Sequence, residues 1–570
     1  MMLKRKLLIE LSCFLALSGK IVIRIFKSNL GNNFYRLDDF LNLFILLVLL
    51  FYFYLRKDSL FIYKTDSQSL PIYYFSLFFT SVFLIYRAIV NLPYSFIHSD
   101  HIISILHANR ISYLNQNVYE ATWNEHTTLF ISIQKVFLGV LKSLFDNDLF
   151  NLYLTHLFFS CICFLVFRKL LSFFTHSNII SFTVALFYFL DLTVSSSRVV
   201  RFDTRSFGSL LLVCFLYFFF SYIKKDDYKF LVLTVVFGTL AIYNLESYAL
   251  TIGFLFLAFV ILEKPEVKKY LVMISSFLAT GSLIAISLIR NGELIDMWNL
   301  NVLFHLQSSR GDNVNLIHAL SGVEFFPGIN IYTFLIFSWP LFLYFNNDYI
   351  SNKYIRYLNV YVIAEVLHLL VTGPRWIAYG QIFRVPLYII LAIYLNQYIG
   401  LFNIENKDLK PALKFIFSAL VPFLIVAFIG SNSIFESRIT REASILPNQD
   451  VQSMLINEIE KNTKSKIYFA WTENKNWSWL YAESGYLPAT RMWLWLKAYE
   501  EAKPYYEWDE RWGRDKIVSY WNKDFVEEEI NLMVIDQDYL SLPDFILPKI
   551  DNEFTRYKCI DTFCIYKKNY

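Results

Sequence analysis

The chain has 570 residues, 56% of them apolar and 19% aromatic, and its 52 Lys and Arg against 48 Asp and Glu leave a formal net charge of +4. So large an apolar share, gathered in repeated runs of about 20 residues, excludes an ordinary soluble enzyme and predicts a polytopic membrane protein. With 57 Phe and 39 Tyr but only 17 Gly and 14 Pro, the helices are bulky and lipid-facing rather than a tight small-residue bundle.

The chain opens with Lys4-Arg5-Lys6 and an apolar run over about 7–26. That run lacks a small-residue cleavage site and reads as a retained helix. Its Lys20 and Arg24 must snorkel or pair at the far interface. A second run, about 39–55, ends at Arg56-Lys57, and a third, about 70–97, delivers Tyr94-Ser-Phe-Ile-His98-Ser-Asp100-His101. A carboxylate so close to the bilayer either marks where the helix leaves the lipid or is solvated, paired, metal-bound or catalytic.

From there basic residues fall on every second connection. They are Arg168-Lys169, Lys224-Lys225, Glu263 to Lys269, Lys353 to Arg356 and Lys407 to Lys410. The positive-inside rule places all five in the cytoplasm. The alternate connections then face out: residues 98–148, the loop around Arg201-Phe-Asp203-Thr-Arg205, the turn at Asn244-Leu-Glu246, residues 291–330, and Gly373-Pro-Arg375. Further spans follow at about 149–167, 178–194, 206–223, 229–245, 248–262, 270–290, 331–346, 355–372, 377–399 and 411–431, about thirteen in all. Within the first outside connection, Leu129 to Phe145 is apolar with helical periodicity and reads as an interfacial helix roofing the outer surface.

After about residue 432 the composition turns polar and Trp-rich, and no run reaches spanning length. Ile467 to Trp471, Leu532 to Ile535 and Cys559 to Tyr566 read as short strands, so this tail is a soluble α/β domain. If Asp561-Thr562 is a two-residue hairpin turn, Cys559 and Cys564 stand opposite each other, where a disulfide can form in an oxidising compartment. Cys13, Cys161, Cys163 and Cys214 lie in apolar runs and read as packing residues. No Walker loop, His-Glu-x-x-His, Gly-x-Ser-x-Gly or Cys-x-x-Cys occurs, which removes the usual residues of ATP hydrolysis, zinc proteolysis and serine esterase chemistry.

The order of these features resembles the GT-C superfamily of integral membrane glycosyltransferases, and within it the branch of the protein O-mannosyltransferases and the lipid A aminoarabinose transferase. Asp100 matches that branch's first-loop acid, with His101 where many members have Glu. His126-Thr-Thr-Leu129 stands where a Lys-Pro-Pro-Leu-like patch opens the interfacial helix, so the phosphate-contacting Lys has no match. Arg201-Phe-Asp203 resembles the second-loop acid. Gly373-Pro-Arg375-Trp-Ile-Ala-Tyr379 with Pro386 resembles the Gly-Arg…His-Tyr…Pro pattern, with Ala378 in place of His. The passage from Lys466 through Tyr481, Ser484 and Pro488 to Arg491 resembles one in the soluble domain of the bacterial members.

The chain then divides into an N-terminal helix pair over 1–69, to which the resemblance gives no counterpart, a GT-C-like membrane catalytic domain over 70–431 and an extracytoplasmic α/β domain over 432–570. The resemblance implies inverting transfer of a sugar from a polyprenyl-phosphate donor to a lipid, glycan or protein acceptor at the outer face of the plasma membrane, with no nucleic-acid partner. Asp100 is then the base, and Arg201, Arg205 and Arg375 hold the donor phosphate, for which the guanidinium fork is suited. Asp203 either joins Asp100 on a divalent cation, Mg or Mn, or pairs with Arg201 or Arg205. His101, Glu246 and Tyr379 are secondary candidates, against plain interfacial or helix-end roles. Glu365 and His368 share a helix face and read as a mutually satisfied pair. A flippase of lipid-linked saccharide and a non-enzymatic scaffold are the alternatives. The first needs a polar path that the spans scarcely offer, and the second would use the tail's Trp471 to Trp495 as a binding module.

Overall fold

The structure is a computed structural model, and it describes residues 99–116, 118, 128–144, 148–175, 177, 180–182, 184–185, 188, 204–245, 248–298, 338–344, 347–372, 380–405, 449–463, 467–471, 480–481, 484, 486–489, 530–536 and 547–569. Two short helices come first, α1 (Ser99–Leu114) and α2 (Thr128–Lys142). The bundle follows with α3 (Asp148–Leu171), α4 (Thr204–Lys225), α5 (Tyr228–Asn244), α6 (Tyr248–Glu263) and α7 (Val267–Arg290). After these come α8 (Leu294–Met297), α9 (Asn347–Ser351), α10 (Lys353–Thr372) and α11 (Gly380–Glu405). Seven helices therefore lie on the runs expected at about 149–167, 206–223, 229–245, 248–262, 270–290, 355–372 and 377–399. The runs at about 7–26, 39–55, 70–97 and 411–431 lie outside the described residues.

Among the described residues two helices are long and apolar enough to cross a membrane, Phe207–Lys225 and Val267–Arg290. The second decides the solvent. Leu271, Phe277, Leu283 and Ile289 of α7 are all more than half exposed, and so much outward apolar surface is stable against lipid rather than water. The first is packed in the bundle core instead, where Phe215, Leu216 and Phe219 are buried.

Four of the five basic connections come together at one end of the bundle, as their alternation predicts, while Lys407 to Lys410 lie outside the described residues. Lys269 Nζ reaches Asp226 Oδ1 at 2.7 Å, joining the start of α7 to the turn between α4 and α5. Lys353 Nζ reaches Glu263 Oε2 at 2.7 Å, joining the start of α10 to the end of α6. The Lys224 ammonium sits 5.8 Å from the ring centroid of Phe173, in the turn after α3. Chain continuity puts the first residues of α4, α6 and α11 and the last of α5, α7 and α10 at the opposite end.

The tail begins at α12 (Gln449–Asn462) and contributes β1 (Ile467–Trp471), β2 (Leu487–Pro488), β3 (Leu532–Asp536), α13 (Leu547–Glu553), β4 (Phe554–Ile560) and β5 (Phe563–Lys568). These strands form one sheet in the order β2-β1-β3-β5-β4. Its first three strands are parallel and β5 runs antiparallel to both β3 and β4. β3 is central, and its Leu532 to Ile535 are all buried, hence its unbroken apolar run. Leu455 and Ile459, one turn apart on α12, are fully buried in the core they share with the sheet. The expected hairpin is present: Asp561 takes φ 55, Cys559 pairs with Cys564 in register, and a disulfide joins them.

One expectation needs correction. The sequence predicts a single interfacial helix within the connection at 98–148, but α1 precedes that helix. Its apolar residues form no single stripe because two of its faces are buried, Leu106 in the core of the tail and Ile111 in the core of the bundle. Asn115, with φ 53, closes it in the left-handed conformation that Asn tolerates.

Candidate active site

Asp100 and His101 stand in the first turn of α1. Its second half is wedged between bundle and tail. Arg110 is fully buried there, and its Nη1 donates to the carbonyl of Pro488 on β2. Burying an unpaired guanidinium costs several kcal/mol, so this hydrogen bond is part of what makes the position tolerable. Tyr481 shares the site: its hydroxyl accepts from the Ala470 N–H at 2.8 Å and donates to the Tyr468 carbonyl at 3.2 Å. His107, one turn before Arg110, is 5% exposed. Its pKa falls from the ordinary 6.5 to about 3, first because burial disfavours the cation and second because the Arg110 charge is close.

Around this wedge the ends of the bundle helices opposite the basic connections are joined by polar contacts. The hydroxyls of Thr128 and Tyr243 lie 2.8 Å apart and bind the start of α2 to the end of α5. The Val118 N–H donates to Glu293 Oε1 at 3.0 Å, which fixes the segment after α1 to the residue that opens α8. Gly208 lets α4 approach the α5–α6 corner closely. A Cβ there would sit 2.8 Å from Tyr248 Cε2 and 3.0 Å from Asn244 Nδ2. One turn deeper, Thr251 Oγ1 donates to Glu365 Oε1 at 2.5 Å, joining α6 to α10.

α2 buries Thr128, Phe130, Ile131, Gln134 and Leu138 on one face, while Val136 and Val140 face outward with Lys135. This is the amphipathic pattern expected of a helix lying in an interface. Gln134 is fully buried, and neither amide atom has a hydrogen-bond partner among the described residues.

Of the sequence-predicted residues, Asp100, His101 and Arg205 have a described backbone. Arg205 is the second residue of α4. Arg201, Asp203, Glu246, Arg375 and Tyr379 lie outside the described residues. In the sequence they directly precede α4, separate α5 from α6, and separate α10 from α11. Among the described residues no three His, Cys, Asp or Glu side chains gather where a cation could sit. Thr251 is a described partner of Glu365, while the side chain of His368, expected to pair with it, lies outside the described residues. Arg110, His107, Tyr243, Thr251 and Glu293 were not singled out beforehand. Tyr243 and Thr251 sit among apolar neighbours at ordinary helical spacing, and for all five only the tertiary arrangement is distinctive.

No protein-family model matches the chain, and no curated protein matches it by sequence. Its fold does have solved counterparts. It is similar to ArnT from Cupriavidus metallidurans bound to undecaprenyl phosphate, with a TM-score of 0.51 and 10% identity over 85% of this chain and 97% of that one. The same enzyme in the apo state gives 0.49 and 10% over 85% and 98%. The oligosaccharyltransferase of Archaeoglobus fulgidus in its apo form gives 0.43 and 11% over 81% and 70%.

Proposed function

We propose, from the premise that this chain has the GT-C fold, that it is an inverting membrane glycosyltransferase. It moves a sugar from a polyprenyl-phosphate donor to a lipid, glycan or protein acceptor at the extracytoplasmic face of the plasma membrane. The observation that carries the reading is the fold likeness to ArnT, which runs nearly the full length of that enzyme. That structure holds undecaprenyl phosphate, and we carry the donor chemistry from it to this chain.

In this reading residues 1–69 add a pair of helices, 70–431 form the catalytic membrane domain and 432–570 the extracytoplasmic tail. The Cys559–Cys564 disulfide supports placing the tail in an oxidising compartment. Asp100, in the first turn of α1, takes the proton of the incoming hydroxyl as it attacks the anomeric carbon. The bond from that carbon to the carrier phosphate breaks as the new one forms, so no covalent enzyme intermediate is needed. Arg201, Arg205 and Arg375 receive the charge that develops on the departing phosphate. A divalent cation, if Asp100 and Asp203 bind one, would add further positive charge there. His101, Glu246 and Tyr379 surround the sugar or the acceptor.

Purified protein given a polyprenyl-phosphate sugar tests this directly. Mass spectrometry of lipid-linked sugars and surface glycans, with and without the gene, identifies the sugar and the acceptor. Loss of one glycan modification with build-up of its lipid-linked donor is expected. Unchanged glycans, together with no turnover of any lipid-linked sugar by the pure protein, would overturn the reading.

A further inference from the structure

We infer that Arg110 is a positioning residue: through its bond to the Pro488 carbonyl, the tail sets the place of Asp100, and with it the geometry of the active site. The inference rests on the reading of Asp100 as the base. Arg110 and Asp100 stand ten residues apart on α1, which is about 15 Å along the axis at 1.5 Å per residue. A tilt of about 5° about Arg110 therefore moves the first turn by about 1.3 Å, and misplacement on that scale can cost about a hundredfold in rate.

What holds the tilt is visible. Leu106 is built into the core of the tail, with Leu455, Tyr468 and Leu480 among that core's members, while Ile111 belongs to the core of the bundle. Apolar packing of this kind resists separation but is non-directional, and it permits small rotations. The guanidinium on a backbone carbonyl is directional and fixes the rotation that packing leaves free. The carbonyl is itself built into the sheet. β2 lies in register against β1, with Tyr468 opposite Pro488, and the Ala489 N–H donates to the Tyr468 carbonyl at 3.0 Å. Tyr481, whose hydroxyl bridges the β1 backbone, lies in the field of the same guanidinium.

The test compares Arg110→Met, which keeps the bulk and loses the donors, with Arg110→Lys, which keeps a charge and a donor. Two readouts are taken on full-length, detergent-extracted protein. In Arg110→Met, hydrogen exchange of the amides in the first two turns of α1 should speed up about tenfold or more, with α4 unchanged. Its kcat should fall about thirtyfold with KM for the donor within about twofold, and Arg110→Lys should recover to within about fivefold of wild type. Wild-type exchange in Arg110→Met, or an unchanged kcat per folded molecule, overturns the inference. If Arg110→Met does not fold, Arg110→Lys carries the test, with a fall of about threefold in kcat and measurably faster exchange expected, and wild-type behaviour overturning the inference. Should Asp100→Asn prove fully active, the reading of the base has failed, and the exchange arm still decides the tether.

Discussion

The hydroxyl of Thr251 on α6 donates to one carboxyl oxygen of Glu365 on α10, and Glu365 is 1% exposed. Its other oxygen has no hydrogen-bond partner among the described residues. Removing the donor leaves a buried acid without its described partner, so Thr251→Val should destabilise the protein by about 1–3 kcal/mol. In a Glu365→Gln background the same change should cost less, giving a coupling of about 0.5 kcal/mol or more. Unfolding in detergent measures the cycle, and strictly additive effects would show that the bond contributes nothing.

Sidedness gives a second prediction. Lys268 and Asp551 are both exposed, one at the basic end of the bundle and the other on the tail. In a cysteine-free background, Asp551→Cys should react with an impermeant maleimide in intact cells. Lys268→Cys should react only after permeabilisation. The reverse pattern would put the tail in the cytoplasm and refute the proposed outer active face.

For the chemistry, Asp100→Asn should abolish transfer in folded, inserted protein, whereas Arg491→Ala should retain measurable activity. Equal rates for Asp100→Asn and wild type would remove the central assignment. Arg375→Lys keeps the charge but loses the fork, so its rate should fall about tenfold, equivalent to about 1.4 kcal/mol, and Arg375→Ala should fall further. A fully active Lys variant would leave Arg375 as an anchor at the helix mouth and move attention to Arg201 and Arg205.

Acid should loosen the wedge at His107. Between the ordinary pKa of 6.5 and the folded value of about 3, the unfolded chain binds a proton that the folded chain does not. The stability is therefore fully present above about 6.5 and is lost as pH falls through that window. At pH 5 the loss is about 2 kcal/mol, from about 1.5 pH units at 1.36 kcal/mol each. Asp226, held low by Lys269, and Glu458, held low by Lys558, also favour the fold above their ordinary values. They lose that contribution mainly below those values of 3.8 and 4.5, so pH 7 to 5 is the interval in which His107 dominates among these three. Unfolding midpoints of wild type and His107→Phe should diverge there, and parallel curves would contradict the burial argument.

Much of the fold was legible because lipid enforces simple rules. The apolar runs behind α3 to α7, α10 and α11 were readable by length, and the alternation of Lys and Arg foretold which connections meet. The cysteine hairpin was readable from two residues between two strands. α1 was not, because Leu106 and Ile111 serve different cores and their pattern has no single direction. Arg110 was hidden for a related reason: on an outside connection an arginine reads as solvated, and only the presence of β2 shows it to be enclosed. The motif residues Asp100, Arg201, Asp203 and Arg375 were found from order along the chain rather than from any local signature. All of them flank helix ends, where spacing alone says little about which side chains converge.

The contact between Arg110 and Pro488 spans 378 residues of chain, and that separation bears on how the protein is made. At roughly 5–20 residues per second, the ribosome needs on the order of 20–80 s after completing α1 before β2 exists to receive it. Throughout that interval Leu106 lacks the core of the tail and Arg110 lacks the Pro488 carbonyl. The junction of α1 with the tail is therefore among the last things synthesis yields. A nascent chain cut short before the tail would insert its helices yet lack both the Pro488 carbonyl and the core that receives Leu106, so α1 would be held from the bundle side alone.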